Sequence, residues 1–416
     1  MANIPNDILC GILLQQPLKS LVRHKFVCNN WQNYITGSDF VKLHQKISVE
    51  NPESNALLIF ISEGSLYIAG DLTNSYSSIL RPTKLALPPA FEGDNTTRLV
   101  GSCNGLVCLG SGNFLNSYVL FNPTNPRAFK IVPFAQNVLS TNNTARYYSC
   151  NVVAGFGYDE KSDDDDYKIV YIWCLLYQHH IIMIDRVEGM IYSTKSGSWK
   201  PLHPPNVGNQ WTYFGTLNNS LHFFTEKKDV IFCFDLHDQV WSEIPFPHIQ
   251  DHYTVKDTCI IEGCLSISLV RDCGDEQELW VMKEYGVKES WIELFNLPVF
   301  EGTCRILFYS TIRAQEFLLY TDRFGLVWYN IETEEINYGV NRIEGNFDIS
   351  DMKMIIGSLV SIGSKRKGLA RGGGRRLQDN LTEAENVDEI IAAGNKSLSR
   401  RKKKGTRKGI TQVLQI

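Results

Sequence analysis

The chain has 416 residues, more than one core usually holds, and its 43% apolar and 21% charged content excludes wholesale disorder. Aromatic residues make up 11%, beside 31 glycines and 15 prolines, a mix that favours strands and turns over a helical bundle. The net charge of −4 conceals an asymmetry. Residues 365–416 carry fourteen Lys/Arg against five Asp/Glu, or +9, which leaves −13 on the body and disfavours nucleic-acid binding there.

Eleven cysteines, odd in number and without a repeated short spacing, fit neither a disulfide framework nor a zinc module. A reducing compartment is expected, cytoplasmic and/or nuclear. No export signal or membrane span is expected. The apolar run from Ile8 to Leu14 ends at two glutamines and Pro17, and the run from Ile169 to Ile184 is broken by Gln178-His179-His180. That second run reads as two buried strands joined by a tight loop.

The first zone, residues 1–46, has helical periodicity. Pro5 suits a first helical turn and Asp7 suits the positive end of the helix dipole. Ile8, Leu9, Ile12 and Leu13 form one apolar stripe, which Pro17 stops. A second pattern groups Leu18, Leu21, Val22 and Phe26, and a third joins Val27 or Cys28 to Trp31 and Ile35. After Gly37, Ser38 caps a last short helix carrying Phe40 and Leu43. A three-helix unit of this size cannot bury so much apolar surface alone, so one face should borrow a partner.

The second zone, residues 55–357, repeats itself. Tyr192 to Trp199 aligns without a gap on Phe234 to Trp241, Tyr329 to Ile336 follows the same pattern, and Phe121 to Phe129 matches with one extra residue. A looser copy ends at Trp291. Each copy reads as strand, polar turn, strand, with the end residues packed on one face. The endpoints 129, 199, 241, 291 and 336 lie 70, 42, 50 and 45 residues apart, the long first gap holding loop insertions at 140–144 and 163–166. Between them falls a second turn signal, at Asn104-Gly105, Asn218-Asn219 and Glu262-Gly263. Two hairpins per roughly 45 residues is the period of a β-propeller blade, giving six or seven blades. From Ser358 onward the chain, residues 358–416, reads as a disordered basic tail with the run Arg400-Arg-Lys-Lys-Lys404, equally fit for nuclear localisation or for solvation.

Ile4-Pro5-Asn6-Asp7-Ile8-Leu9, followed by Pro17-Leu18-Lys19-Ser20-Leu21 and Val27-Cys28-Asn29-Asn30-Trp31, resembles an F-box. The remainder is similar to the F-box-associated domain of plant F-box proteins of the S-locus F-box-like and kelch-like branches. The residues behind that likeness are Gly101 to Leu106, Phe121-Asn-Pro123, Gly155-Phe-Gly-Tyr-Asp159 with Tyr167-Lys168, Leu221-His-Phe223, and Leu279 to Trp291. The resemblance implies a mainly β fold: a small helical F-box, then a kelch-like β-propeller. It implies the target receptor of an SKP–cullin–F-box ubiquitin ligase, non-catalytic and without cofactor or metal. The partners would be an SKP-family adaptor, through it a cullin–RING ligase, and an unidentified protein target.

Adaptor contacts are expected among Ile4, Pro5, Ile8, Leu9, Ile12, Leu13, Pro17, Leu18, Leu21, Val27, Cys28 and Trp31, some of which must instead pack within the module. The helical and propeller modules are expected to have separate cores. Two other classes stay open: an adaptor-binding regulator that degrades nothing, and a propeller enzyme, which would show titratable residues clustered at the central channel. The acidic run 163–166 lacks the glycine and distal glutamate of a calcium loop. Adjacent His179 and His180 on a strand would point to opposite faces. Cys103 and Cys108 beside a hairpin turn read as small packed residues. Trp199, Trp241 and Trp291 recur once per unit and read as inter-blade packing, so target specificity is expected in 136–149, 160–166 and 203–213.

Overall fold

A computed structural model describes residues 6–362 apart from 51, 71–78, 113–116, 134–146, 180, 208–210, 226–229, 250–251, 272–275, 299, 301–303, 311–315, 339–342 and 346. Ile4, Pro5, most of the 136–149 segment and the basic run lie outside the described residues. Among the described residues, no helix is long and apolar enough to cross a membrane.

Four helices come first: α1 (Asn6–Leu14), α2 (Leu18–His24), α3 (Asn29–Thr36) and α4 (Ser38–Glu50). The helix from Ser38, expected to be short, is the longest of them at 13 residues. Pro17, at φ −57° and ψ 148°, breaks α1 from α2 and stands as N-cap of the second helix. Phe26 does not join the stripe of Leu18, Leu21 and Val22. α2 ends at His24, and Phe26 N and Val27 N donate back to Arg23 O and His24 O at 3.1 Å, a tightened last turn that swings Phe26 into water, 84% exposed. The core of the module is Leu9, Leu13, Leu18, Leu21, Ile35 and Phe40, joined by Leu359 from beyond the strands.

The strands follow in sets of four. β1 (Ala56–Ser62), β2 (Ser65–Gly70) and β3 (Thr83–Leu85) belong to blade one. Blade two is β4 (Arg98–Cys103), β5 (Leu106–Ser111), β6 (Ser117–Asn122) and β7 (Asn125–Pro133). Blade three is β8 (Tyr147–Tyr158), β9 (Tyr167–His179), β10 (Ile181–Ser193) and β11 (Ser198–Leu202). Blade four is β12 (Trp211–Leu217), β13 (Ser220–Thr225), β14 (Val230–Asp235) and β15 (Trp241–Pro245). Blade five is β16 (Tyr253–Ile261), β17 (Cys264–Arg271), β18 (Glu276–Met282) and β19 (Trp291–Pro298). Blade six is β20 (Cys304–Ser310), β21 (Glu316–Thr321), β22 (Gly325–Asn330) and β23 (Glu335–Tyr338). The last strand, β24 (Ile349–Ile356), returns to pair antiparallel with β1 from Ala56↔Ile356 to Ser62↔Ile349 and completes blade one.

Six antiparallel four-stranded sheets therefore stand in a ring, and β4, β8, β12, β16, β20 and β24 neighbour one another around its centre. Each pair of adjacent blades shares its own apolar cluster, six in all. A blade thus buries both faces, which is why β1, β5 and β13 are buried along their whole length instead of alternating. The repeated end residues sit directly opposite one another across the outer hairpin: Tyr192↔Trp199, Phe234↔Trp241, Tyr329↔Ile336 and Phe121↔Phe129. The second turn signal is the inner hairpin. Asn104 and Gly105 have φ of 54° and 71°, and Glu262 and Gly263 have 49° and 75°, positive at both central positions as a two-residue hairpin requires.

Chain direction assigns the loops. First-to-second and third-to-fourth strand turns lie on one face of the ring, and the remaining loops on the other. β24 ends and β1 begins on the first face, so the helical module sits there, with Lys42 of α4 4.0 Å from Asp165 in the β8–β9 loop. The helical module keeps a core of its own, but the chain beyond β24 contributes one side chain to it. Leu359 is 7% exposed inside the helical cluster, and Ser358 is 1% exposed against blade two. The stretch Ser358–Ile362, assigned by sequence to the tail, is packed. The alternation Ile355, Gly357, Leu359 is a continuation of the β24 pattern.

Candidate functional site

The expected adaptor contacts divide by environment. Leu9, Leu13, Leu18 and Leu21 are buried together in the helical core, flanked by half-buried Trp31, whose ring stands edge-on to His24 at 5.4 Å. Ile8, Ile12, Pro17, Val27 and Cys28 lie outside that core and face solvent. Ile8 is 53%, Ile12 47% and Val27 61% exposed. Phe26, which helical periodicity had placed inside, joins them. With Val49 of α4, also 61% exposed, that makes five large apolar side chains in water on a helical unit of this size, the pattern of a docking surface.

On the propeller, the segment Gly155–Asp159 with Tyr167-Lys168 forms a buried polar clamp between blades three and four. Lys168 Nζ lies 2.7 Å from Asp159 Oδ2 and 3.7 Å from Asp166 Oδ2, and it also donates to Leu236 O of the next blade. Asp159 meets His237 Nδ1 at 3.2 Å. Burial pushes the Asp159 carboxyl up, but the hydrogen bonds and charges of Lys168 and His237 outweigh it and hold the group below its ordinary value. Glycine is needed at 155 and 157 because a Cβ would come within 3.0 Å of Tyr213 Cε2 and 2.8 Å of Leu236 Cδ1. The acidic run is spent in the same region: Asp166 accepts from Ser193 Oγ and Lys195 N, Asp165 from Tyr158 Oη, and Asp164 pairs with Lys195.

The central channel carries Asp257, Arg305, Asp351 and Lys353. Asp257 accepts Thr258 N at 2.9 Å and Ile306 N at 2.7 Å, and Asp351 accepts Leu99 N and Arg305 Nη1, each at 2.9 Å. Both acids therefore bind the backbone of the following blade beside its bulge. Burial raises Asp257 to about 6, and burial lowers Lys353, whose ammonium lies over the Tyr213 ring. A titratable cluster does line the channel, as a propeller enzyme would show, but its two carboxylates are taken up by the N–H groups of Thr258, Ile306 and Leu99 and by Arg305, so the groups hold the inner strands to one another. A second set joins blades four and five: buried His222 Nε2 is 2.7 Å from the Oη of exposed Tyr285, with buried Cys233 Sγ at 3.4 Å from the same oxygen. Desolvation takes His222 down to about 4, so it is neutral at ordinary pH. Trp291 lies in the cluster between the same blades and donates from Nε1 to Pro245 O at 2.9 Å, and Trp199 packs on Tyr192 and on Tyr118 of blade two. The blade tryptophans are packing residues. Among the described residues no group of three or more His, Cys, Asp or Glu is placed to hold a metal ion.

The loop 160–166 lies on the helical-module side, whereas the chain from Leu202 to Trp211 connects blades on the opposite side. Phe324 and Tyr338, 46% and 54% exposed and 4.9 Å apart, also occupy that opposite side, with Arg323 over the Phe324 ring.

Comparison with known proteins agrees with this division. A model of the F-box domain matches residues 1–43, and a model of the F-box associated beta propeller domain matches residues 57–358. The Arabidopsis thaliana F-box/kelch-repeat protein At3g23880 is 28% identical over 86% of this chain and 96% of its own length. F-box protein CPR1 from the same plant is 26% identical over 86% of this chain and 89% of its own.

Proposed function

Since the chain belongs to the F-box proteins that carry an F-box-associated β-propeller, we propose that it is the target-recognition subunit of an SKP–cullin–F-box ubiquitin ligase. The helical module docks on an SKP-family adaptor, the propeller holds a protein target, and the chain itself performs no chemistry. It works in the cytoplasm or nucleus by keeping the target close to a ubiquitin-loaded enzyme, which raises effective concentration.

The observation that carries this reading is the set of apolar side chains left in water on α1 and in the turn after α2: Ile8, Ile12, Phe26 and Val27. Burying one such anchor contributes about 2–4 kcal/mol to association, and a carboxylate in its place opposes burial further. Target contacts fit the propeller face opposite the module, where the segments joining successive blades are the longest on average. The test is binding of purified full-length chain to SKP-family adaptor. Ile12→Asp combined with Phe26→Asp should weaken it at least ~100-fold while target capture persists. Adaptor binding unchanged by both substitutions would refute the reading.

A further inference from the structure

Helical module and propeller meet at a junction built on Asn55. Its side-chain carbonyl accepts Leu18 N at 2.9 Å, an N–H at the start of α2 that has no partner within the helix. Its amide donates to Ser48 Oγ of α4 at 3.0 Å, and its main-chain carbonyl accepts Gly357 N at 2.8 Å. One residue thus ties α2, α4, the start of β1 and the end of β24. Glycine at 357 is required by the close approach: a Cβ there would lie 2.5 Å from Leu18 Cδ2 and 2.9 Å from Leu57 Cδ1.

Beyond Gly357 the side chains point alternately into the two modules. Leu359 enters the helical core. Ser358 Oγ donates to Asn104 O of the β4–β5 turn at 2.8 Å, and Val360 and Ile362 pack on the aromatic cluster between blades two and three. Asn122 holds this segment from the propeller side, its Nδ2 donating to Ser358 O at 2.9 Å and to Val360 O at 2.6 Å, while Thr124 Oγ1 also donates to Ser358 O. The covalent link through residues 51–55 alone would leave the module free to swing. A second attachment, with a side chain in each core, removes that freedom.

We propose that residues 357–362 are a strap that fixes the orientation of the helical module on the propeller, with Leu359 and Asn122 as positioning residues for ubiquitin transfer. The structural half stands on the geometry; the functional half rests on the ligase reading above. A target is modified at lysines that reach the ubiquitin-loaded enzyme, so a fixed angle between adaptor and target selects them, and a loose one spreads the encounter over many arrangements.

Leu359→Ser opens the helical core and risks unfolding it, so Asn122→Asp in the full chain is the sharper variant. It keeps Oδ1, which accepts Thr124 N in the local turn, and sets a carboxylate oxygen against the two strap carbonyls. Amide exchange at Leu18, Gly357 and Val360 should quicken about tenfold, with adaptor affinity held within about twofold of wild type. Ubiquitin transfer to bound target should slow and spread over more lysines. Unchanged exchange at those amides would overturn the strap. Faster exchange with an unchanged rate and lysine pattern would overturn the positioning role. Failure of the wild-type chain to bind adaptor would overturn the ligase reading and the positioning role built on it, while the exchange measurement still decides the strap.

Discussion

Ile8, Leu9, Ile12 and Leu13 are equally apolar, yet they stand on two edges of α1 with opposite fates. Leu9 and Leu13 are 6% and 1% exposed, whereas Ile8 and Ile12 remain about half in water. Periodicity finds such a stripe but cannot say which edge turns inward, because that depends on packing from α4 and Leu359. Leu9→Asp should therefore cost more than ~3 kcal/mol of helical-module stability, seen as loss of amide protection in α1 and α4. Ile12→Asp should leave that protection intact and act on adaptor binding alone. The channel acid Asp257 gives a prediction of opposite character. Its folded pKa of about 6 lies above the roughly 3.9 of an unfolded aspartate, so the unfolded chain loses that proton first as pH rises. Its contribution to stability is greatest below pH ~4 and declines by a few kcal/mol between pH ~4 and ~6, since ionisation is opposed by burial. Arg305 from the next blade and Lys353 temper the effect. The stability difference between wild type and Asp257→Asn, followed by denaturant titration across that interval, should shift against wild type as pH rises; a flat difference would refute the assignment.

At the scale of strands and turns, the outer hairpin was legible because one aromatic pair recurs in register, and Phe234↔Trp241 and Tyr192↔Trp199 do face each other. The inner hairpin was legible from Asn-Gly chemistry. Less visible was the reason for the Asp159 and Lys168 pair, since eight residues of loop and strand lie between two groups that meet only when blade four supplies Leu236 and His237. Lys168→Ala would leave Asp159 and Asp166 buried without their cation, and the cost of breaking such a pair is about 3–5 kcal/mol. The expected result is a lower thermal midpoint with the helical module unaffected. Lys168→Met should recover little, because the two carboxylates stay buried. Phe26 was misplaced for a local reason: α2 ends one turn earlier than the apolar spacing allows, at a tightened turn that periodicity does not encode.

For the molecule as a whole, the 42–50-residue period was enough to find the propeller but left the blade number open, because blade one is assembled from both ends of the domain. Its inner strand β24 shows no hairpin signal linking it to β1, the two being separated by nearly the whole propeller. Joining such distant segments makes folding slow, since loop closure precedes the reward of pairing. A chain ending at residue 348 should lack cooperative unfolding, because blade one would expose a row of unpaired groups along β1 and two of the six inter-blade clusters would lose Ile355 or Met352. A chain ending at 363 should unfold as the full protein does, within ~0.5 kcal/mol, judged by denaturant midpoint.

Leu359 also sets an order of events during synthesis. The four helices emerge from the ribosome first, but their core lacks its last apolar side chain until some three hundred further residues have been translated. The ring that closes through β24 and the helical unit that receives Leu359 are completed by the same few residues. A chain arrested midway through a blade thus carries a helical unit with an open core. On the ligase reading proposed above, readiness to meet the adaptor and closure of the ring would arrive together, late in translation, with the same few residues.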